Sequence, residues 1–339
     1  MRLDLLAEAL GDAGLAGRGP IGPDDLEPLP ASGVAHDHVL IAGKGRLVRI
    51  PRLSQSGRSA ADNLCYQASC FARAEPSGCT PRLYGVLSPE PALPMGALVV
   101  DAIAGRTVRL PDDLPAIARC LAAIHGLPVP DRPAPLPVQT DPVAATLAVI
   151  EDQADWLDRA GLDPEAVAVI RAEFGAARTA AHWPNAPHAH TLVVADTHPG
   201  NYVVDAAGAA WFVDLEKAAY GQPAIDVAHV TLPTSTGWDR RVTGSVSAGD
   251  VAAFEAAYLA ALPPPVAAGV APWLGPLRRL TWLRSVTWFA RWLARSVREG
   301  DPWDAADLPP GLIAHWRAHV RASLAPAALE RMVRALPAW

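Results

Sequence analysis

The segment ADTHPGN, residues 195–201, lies between two short apolar runs, TLVV at 191–194 and YVV at 202–204. Runs of this kind, rich in β-branched residues, are typical of strands. The segment itself holds an acid, a histidine, a proline, a glycine and an amide. Polar residues held in a fixed turn by rigid elements on either side are typical of loops that carry function. We therefore expect residues 195–201 to form the centre of a functional site.

A third short run, WFVD at 211–214, adds a second carboxylate to this site. Magnesium prefers hard oxygen ligands, with one or two from the protein and the others from water and phosphate. Asn201 and Asp214, at the ends of adjacent short strands, would supply such ligands. Asp196 would accept a proton from an incoming hydroxyl group. The three residues together predict a site for phosphoryl transfer.

The same region carries a family resemblance. The segments ADTHPGNYVVD (195–205) and WFVDLEKAAYGQPAIDVAH (211–229) resemble the catalytic segment of the aminoglycoside phosphotransferase and choline kinase superfamily. Members usually read His-Gly-Asp-x-His-Pro-x-Asn, followed by Ile-Asp-Phe/Trp-Glu. The resemblance implies an α+β, bilobal protein-kinase-like fold. Such a fold has a small antiparallel-sheet N-lobe with one helix and a larger, mainly helical C-lobe.

The resemblance also implies roles for individual residues. Asp196 matches the family's catalytic base, which orients the acceptor hydroxyl, while Asn201 and Asp214 match the two residues that bind magnesium. Asp226 matches an aspartate that starts a helix and braces the catalytic loop. The implied reaction is a transfer of the γ-phosphate of ATP or GTP, with Mg²⁺, to an alcohol group. Positioning and charge neutralisation supply most of the catalysis in such reactions.

Three upstream segments resemble the family's nucleotide-binding elements. GRLVRIPR (45–52) is similar to its third strand, and Arg49 matches the cation that contacts the nucleotide phosphates. ASGVAHDHVLI (31–41) occupies the place of the hairpin that covers the nucleotide, where the backbone N–H groups of Ser32 and Gly33 would face phosphate oxygens. LVVDAIAGR (98–106) is similar to the hinge between the lobes, where backbone groups near Asp101 and Ile103 would hold the purine edge.

The pattern of the first hundred residues predicts the nucleotide-binding N-lobe, residues 1–100. Residues 38–50 form two β-rich runs around Ala-Gly-Lys-Gly, which is typical of a hairpin. Further strand patterns at 81–87 and 97–103 follow a helical pattern at 60–75. We expect a mostly antiparallel sheet with one inserted helix.

Residues 101–339 are predicted to form the C-lobe, with the catalytic loop and the acceptor-binding region. An amphipathic pattern at 114–125 predicts its first helix, and helical patterns dominate the remainder. The exception is a small sheet, in which we expect the run 191–194 to pair with the run 202–204. The loop 195–201 would therefore lie on a small sheet within a helical lobe.

Three positions depart from the family pattern. Val194 replaces the family's usual histidine, and Ala195 replaces its usual glycine. Gln67 lies where a helix glutamate normally pairs with the third-strand cation, so the pairing of Arg49 is expected to be weaker or to involve another acidic partner. These departures raise an alternative function, that of a catalytically impaired pseudoenzyme that binds a nucleotide in a regulatory or binding role.

The composition and the apolar pattern limit the kinds of binding partner and the cellular location that we expect for this protein. The net charge is −6, so no basic surface indicates nucleic-acid binding. The N-terminal segment is patterned as an amphipathic helix and not as a signal peptide, and no apolar stretch reaches the roughly 18 residues that a membrane span needs. We expect a cytoplasmic protein without a membrane partner, whose four cysteines are reduced. The sequence makes no prediction of oligomeric state.

The sequence says least about the identity of the acceptor substrate. Glu216, Asp239 and the acidic run 299–307 would suit a cationic acceptor of the aminoglycoside, amino sugar or choline type, and nearby tryptophans would add cation–π contact. The competing interpretation is that these acids are simply solvated. Elsewhere, His315 and His319 have a spacing that can bind zinc, but no glutamate follows the first, so packing is expected.

Overall fold

The computed structural model describes residues 2–31, 33–54, 56–180, 183, 188–296 and 308–339. The chain begins with helix α1 (Leu3–Asp12). A five-stranded antiparallel sheet follows in the order β1-β2-β3-β5-β4. Its strands are β1 (Leu26–Pro28), β2 (His36–Ile41), β3 (Arg46–Pro51), β4 (Leu83–Leu87) and β5 (Ala97–Asp101).

The two faces of this sheet are covered by different helices. One face packs with α1 in a small core that includes Leu10, Val39 and Val48. Helix α2 (Ala60–Ala74) belongs instead to the large core of the molecule, in which its Phe71 is fully buried. The predicted hairpin, the inserted helix and the antiparallel sheet are confirmed.

The rest of the chain is mainly helical. Helix α3 (Leu114–His125) has the predicted bounds. The elements before the catalytic region are β6 (Arg106–Thr107), α4 (Pro142–Ala154) and α5 (Pro164–Thr179). The catalytic region contains β7 (Thr191–Val193), β8 (Tyr202–Val204), β9 (Ala210–Phe212), β10 (Ala219–Gly221) and α6 (Ala224–Thr231). The last elements are α7 (Pro233–Thr236), α8 (Ala248–Ala261), α9 (Pro264–Val270), α10 (Leu274–Arg295), α11 (Pro310–Ser323) and α12 (Pro326–Ala335).

The expected pairing of residues 191–194 with 202–204 is wrong. Strand β7 pairs with β10, whereas β8 pairs with β9 and with the short β6. The loop 195–201 therefore connects two different small sheets.

The long helix α10 organises the helical part. It packs against α4, α5 and α6, and its Trp282, Val286 and Phe289 are buried in the large core. None of the helices in the described part of the chain is long and apolar enough to span a bilayer.

A buried ion pair ties α5 to α10 and to the end of the chain. Arg279 donates two hydrogen bonds of 2.9 Å to the carboxylate of Glu173 and a third, of 2.8 Å, to the carbonyl of Pro337. The indole of Trp339 also donates to Glu173 at 3.1 Å. Because both charged side chains are nearly inaccessible to water, neither could lose its partner without leaving an uncompensated buried charge.

We therefore expect Glu173→Ala to lower the free energy of unfolding by about 3–5 kcal/mol, the usual cost of removing one partner of a buried pair. The matched control is Asp158→Ala, which breaks an exposed pair with Arg171 and should cost less than about 1 kcal/mol. Chemical denaturation of both variants measures these changes. An equal decrease in the free energy of unfolding in the two variants would contradict the prediction that the buried pair contributes more than the exposed one.

Candidate active site

The backbone of the loop 195–201 is held by one carboxylate. Asp226, in the first turn of α6, accepts hydrogen bonds from the N–H groups of Val194 at 2.7 Å and Ala195 at 2.9 Å. The carbonyl of Asp226 accepts a further bond from the hydroxyl of Thr197 at 2.7 Å. Asp226 is fully buried, so these bonds are made in the absence of competing water. The geometry agrees with the bracing role that the resemblance implied.

Two buried side chains, His125 and Tyr258, form a chain of hydrogen bonds that ends at Asp226. The ring Nε2–H of His125 donates to the Asp226 carboxylate at 3.1 Å, which leaves Nδ1 to accept a bond of 2.8 Å from the hydroxyl of Tyr258. All three side chains are buried. His125 is therefore a packing and hydrogen-bonding residue far from any exchange with solvent.

Ala195 is strained in this loop. Its φ of 65° lies in the left-handed region, which costs an L-residue roughly 1–2 kcal/mol and which glycine adopts freely. The two backbone bonds to Asp226 hold the turn in this conformation despite that cost. The position is the one where the family usually has glycine.

Asp196 faces a cation that the sequence analysis missed. The ammonium group of Lys217 lies 2.5 Å from Oδ2 of Asp196. Burial alone would raise the pKa of Asp196, but the charge and hydrogen bond of Lys217, together with the nearby His198 and His229, outweigh it and hold that pKa well below its usual range. In the same way, burial would lower the pKa of Lys217, and the carboxylate of Asp196 instead raises it. The only sequence signal was a lysine three residues after Asp214, in a segment without regular periodicity.

Asn201 and Asp214 meet as expected at the ends of the adjacent strands β8 and β9. The backbone N–H of Val213 donates to the carbonyl of Asn201 at 3.0 Å, which keeps the two strand ends in register. The side-chain Nδ2 of Asn201 donates to the carbonyl of Asp196 at 2.8 Å. That bond uses the Nδ2 of Asn201 and leaves its amide oxygen as the ligand atom of the side chain, while the carboxylate of Asp214 lies one residue after Val213, the backbone partner of Asn201. These are the hard donors that suit Mg²⁺.

Arg49 connects the N-terminal sheet to this pair. It donates to Oδ1 of Asp214 at 2.6 Å and to the carbonyl of Val213 at 2.9 Å. The acidic partner of Arg49 is thus Asp214 and not a residue of α2. The Oε1 of Gln67 instead lies 3.1 Å from the ring Nε2 of His36.

Glu216 does not lie where an acceptor pocket was expected. Its side chain is only 6% exposed, and its Oε2 lies 3.4 Å from Nδ1 of His36 on strand β2. Burial and then the neighbouring charge of Asp214 raise the pKa of Glu216 to about 8, whereas burial lowers the pKa of His36 to about 4. The prediction that Glu216 lines an open acceptor pocket is therefore wrong.

The other residues proposed for the acceptor are also engaged or cannot be described. Asp239 is paired with Arg241 at 2.6 Å, and the run 299–307 lies outside the described residues. Trp238 stacks on Trp316 with ring centroids 5.1 Å apart, and on Phe289 at 5.9 Å. Because Trp238 is committed to packing, it does not offer a free ring face to a cation.

The two histidines of α11 have the packing role that was predicted. His315 contacts the carbonyl of Gly237 at 3.0 Å and His319 contacts the carbonyl of Thr234 at 3.0 Å. They anchor the segment after α6 to the C-terminal helices.

Of the residues expected to hold the base and phosphates of a nucleotide, one is not described by the structure and another has its backbone N–H engaged elsewhere. Ser32 lies outside the described residues, and Gly33 is half-buried in the bend before β2. The N–H of Asp101 donates to the carbonyl of Arg82 at 3.0 Å and is not available to a purine. The carbonyl of Asp101 and the backbone of Ile103 stay hinge candidates, and their roles, like that of Gly33, stay predictions.

Comparison with known proteins agrees with this geometry. A model described as "Phosphotransferase enzyme family" matches residues 27–273, more than half of the chain. This chain belongs to the phosphotransferase enzyme family. No curated protein matched the chain in sequence.

Solved structures of low sequence identity share the fold of this phosphotransferase. A choline/ethanolamine kinase family protein from Mesorhizobium loti is 22% identical, with a TM-score of 0.56 over 97% of this chain and 100% of that one. A macrolide 2′-phosphotransferase from Brachybacterium faecium is 15% identical, with a TM-score of 0.57 over 94% and 97%. A choline kinase from Streptococcus pneumoniae is 11% identical, with a TM-score of 0.55 over 96% and 98%. The predicted kinase-like α+β fold is confirmed.

The departures of this phosphotransferase from its family pattern have simple structural consequences. Val194 is bound to Asp226 through its backbone N–H, and its side chain is fully buried in the large core. The loop therefore keeps its anchor without the family's histidine. Ala195 keeps the same anchor at the cost of a strained φ.

The ion pair between Asp196 and Lys217 gives a direct prediction about charge. In Lys217→Gln, the cation that lowers the pKa of Asp196 is gone while burial still favours the protonated acid, so the pKa of Asp196 should rise. Carbon NMR titration of the Asp196 carboxyl measures this shift. Lys44→Gln, at a lysine of the β2–β3 turn, is the matched control and should leave the titration unchanged. An unchanged pKa in Lys217→Gln would contradict the pairing.

Proposed function

We propose that this phosphotransferase is a magnesium-dependent small-molecule kinase, which transfers the γ-phosphate of ATP or GTP to a hydroxyl group of its acceptor. The observation that carries the proposal is the convergence of Asp196, Asn201 and Asp214 on one loop and one strand end. Asn201 bonds the carbonyl of Asp196, and Arg49 bonds Asp214. A proton acceptor, two metal ligands and a phosphate-binding cation are thereby connected by direct contacts.

In this proposal Asp196 orients the acceptor hydroxyl. Its lowered pKa keeps it ionised at any physiological pH, which also makes it a weak base. A weak base is sufficient, because phosphoryl transfer passes through a loose transition state with little nucleophilic assistance. Asp196 would therefore act mainly by holding the hydroxyl in line and receiving its proton late.

Asn201 and Asp214 would hold the magnesium ion through the amide oxygen and a carboxylate oxygen. A bound Mg²⁺ neutralises charge on the phosphates as they react. Arg49 adds a fixed positive charge from the sheet, and its guanidinium geometry suits phosphate oxygens. Lys217 would add a second positive charge. An incoming phosphate would compete with Asp196 for the ammonium group of Lys217.

The acceptor is proposed only as a small molecule with a hydroxyl group. The structural neighbours are named for choline, ethanolamine and macrolide substrates, so the fold alone does not select among them. Glu216 is buried and Asp239 is paired with Arg241, which removes the described carboxylates that favoured a cationic acceptor.

One observation favours the alternative of a nucleotide-binding pseudoenzyme. Both carboxylates of the site are occupied by protein cations, Asp196 by Lys217 and Asp214 by Arg49. If these pairs do not open when nucleotide binds, the protein would bind nucleotide without turning it over. Turnover separates the two candidates.

Nucleotide consumption with Mg²⁺, measured over a panel of hydroxyl acceptors, tests the proposal. We expect acceptor-dependent turnover that is abolished in Asp214→Ala, because a metal ligand is lost. Asp196→Asn should reduce turnover by about 10²-fold to 10⁴-fold, the usual contribution of a general base. Thermal shift by magnesium-nucleotide should be lost in Asp214→Ala and kept in Asp196→Asn.

Asp205→Asn provides the control, because Asp205 is a carboxylate near the same loop that bonds Trp211 at 2.9 Å instead of the site. It should keep both the turnover and the thermal shift of the wild type. A thermal shift without turnover on any acceptor would favour the pseudoenzyme, and full turnover in Asp214→Ala would defeat the metal assignment.

A further inference from the structure

A second group of metal-binding atoms lies on the other side of Asp214, against the N-terminal sheet. One ligand atom each from His36, Asp214 and Glu216 can be chosen so that all three lie within 4.8 Å of one another. The side chains of His36 and Glu216 are 5% and 6% exposed, and that of Asp214 is 21% exposed. These are two carboxylates and an imidazole gathered in a nearly dry space.

The protonation of His36 is set by Gln67. The amide Oε1 of Gln67 can only accept, so the ring Nε2 of His36, 3.1 Å away, must carry a proton and donate it. In the neutral ring the other nitrogen, Nδ1, then has a bare lone pair. That lone pair faces Oε2 of Glu216 at 3.4 Å.

The spacing of these two atoms suits two ligands of one metal ion. Two ligands of one metal, each at about 2.1 Å from the ion, would be separated by about 3.0–3.5 Å. The 3.4 Å between Nδ1 of His36 and Oε2 of Glu216 falls within this range.

Asp214 completes the group without giving up its other contact. Arg49 occupies only Oδ1 of Asp214, which leaves Oδ2 as a ligand. Gln67 supplies the outer support that metal-binding histidines usually have, an oxygen that receives the second ring N–H.

We propose that His36, Asp214 and Glu216 form a binding site for a divalent first-row transition-metal ion, with Mn²⁺ as the ion whose chemistry fits best. Imidazole is a good ligand for transition metals and a poor one for Mg²⁺, while carboxylates and phosphates suit Mn²⁺. The proposal rests on the proposed function in one respect, that the two sites share Asp214.

The test is metal binding to the whole chain without nucleotide. Mn²⁺ is titrated into the protein and followed by electron paramagnetic resonance, with pulsed measurements that detect a directly bonded nitrogen. We expect wild-type protein to bind Mn²⁺ and to show the nitrogen coupling of one imidazole. His36→Gln should lose that coupling and bind Mn²⁺ at least tenfold more weakly. Gln67→Leu should weaken binding by about 10-fold to 100-fold, as loss of a supporting hydrogen bond does.

The matched control is His38→Gln. His38 lies on the same strand with its ring centroid 6.1 Å from that of His36, but it is not among the three ligands. It should keep both the coupling and the affinity, and equal thermal unfolding of the two histidine variants shows that folding is not the cause. Wild-type protein without a nitrogen coupling, or a coupling that persists in His36→Gln, overturns the proposal.

The outcome is independent of turnover. A nitrogen-coupled Mn²⁺ signal in a protein that transfers no phosphate would leave the metal site standing while the proposed function fails. Phosphate transfer with Mg²⁺ in a protein without that signal would support the proposed function and overturn the metal site.

Discussion

The buried carboxylate of Asp226 fixes the backbone on which the rest of the site depends. It holds the N–H groups of Val194 and Ala195 and is itself held by His125 and Tyr258. A buried acceptor that loses such partners costs free energy, so the loop and the helix that carries Asp226 are stable only together. This constraint explains how a non-glycine residue persists at a positive φ and how the family's histidine can be replaced by an apolar residue.

The second constraint is electrostatic and joins the N-terminal sheet to the helical part. Arg49, on strand β3, donates to both Val213 and Asp214, and His36, on strand β2, lies against Glu216. Each strand of the hairpin therefore contributes one side chain to the segment that follows β9. The charges of Arg49 and Asp214, which would be costly to bury alone, are tolerated here because the two groups are partners across the same gap. An incoming nucleotide phosphate or metal ion would exchange with these partners and would not enter an empty site.

The sequence predicted those parts of the fold that local patterns determine. The bounds of α3, the β2–β3 hairpin and the insertion of α2 follow from periodicity and turn residues, and Asn201 and Asp214 follow from their positions at strand ends. The pairing of β7 with β10 and not with β8 could not be predicted, because strand partners depend on contacts between distant residues. The same holds for Lys217, whose ammonium reaches Asp196 across a segment without regular structure, and for Glu216, whose burial depends on the sheet.

The most direct test of this account is a crystal structure of the protein with Mg²⁺ and a non-hydrolysable ATP or GTP analogue. We expect a metal ion bonded to the side-chain oxygens of Asn201 and Asp214, phosphates in contact with Arg49, and Asp196 facing the terminal phosphate. A nucleotide bound elsewhere, or a metal ion that is held without Asn201 and Asp214, would contradict it.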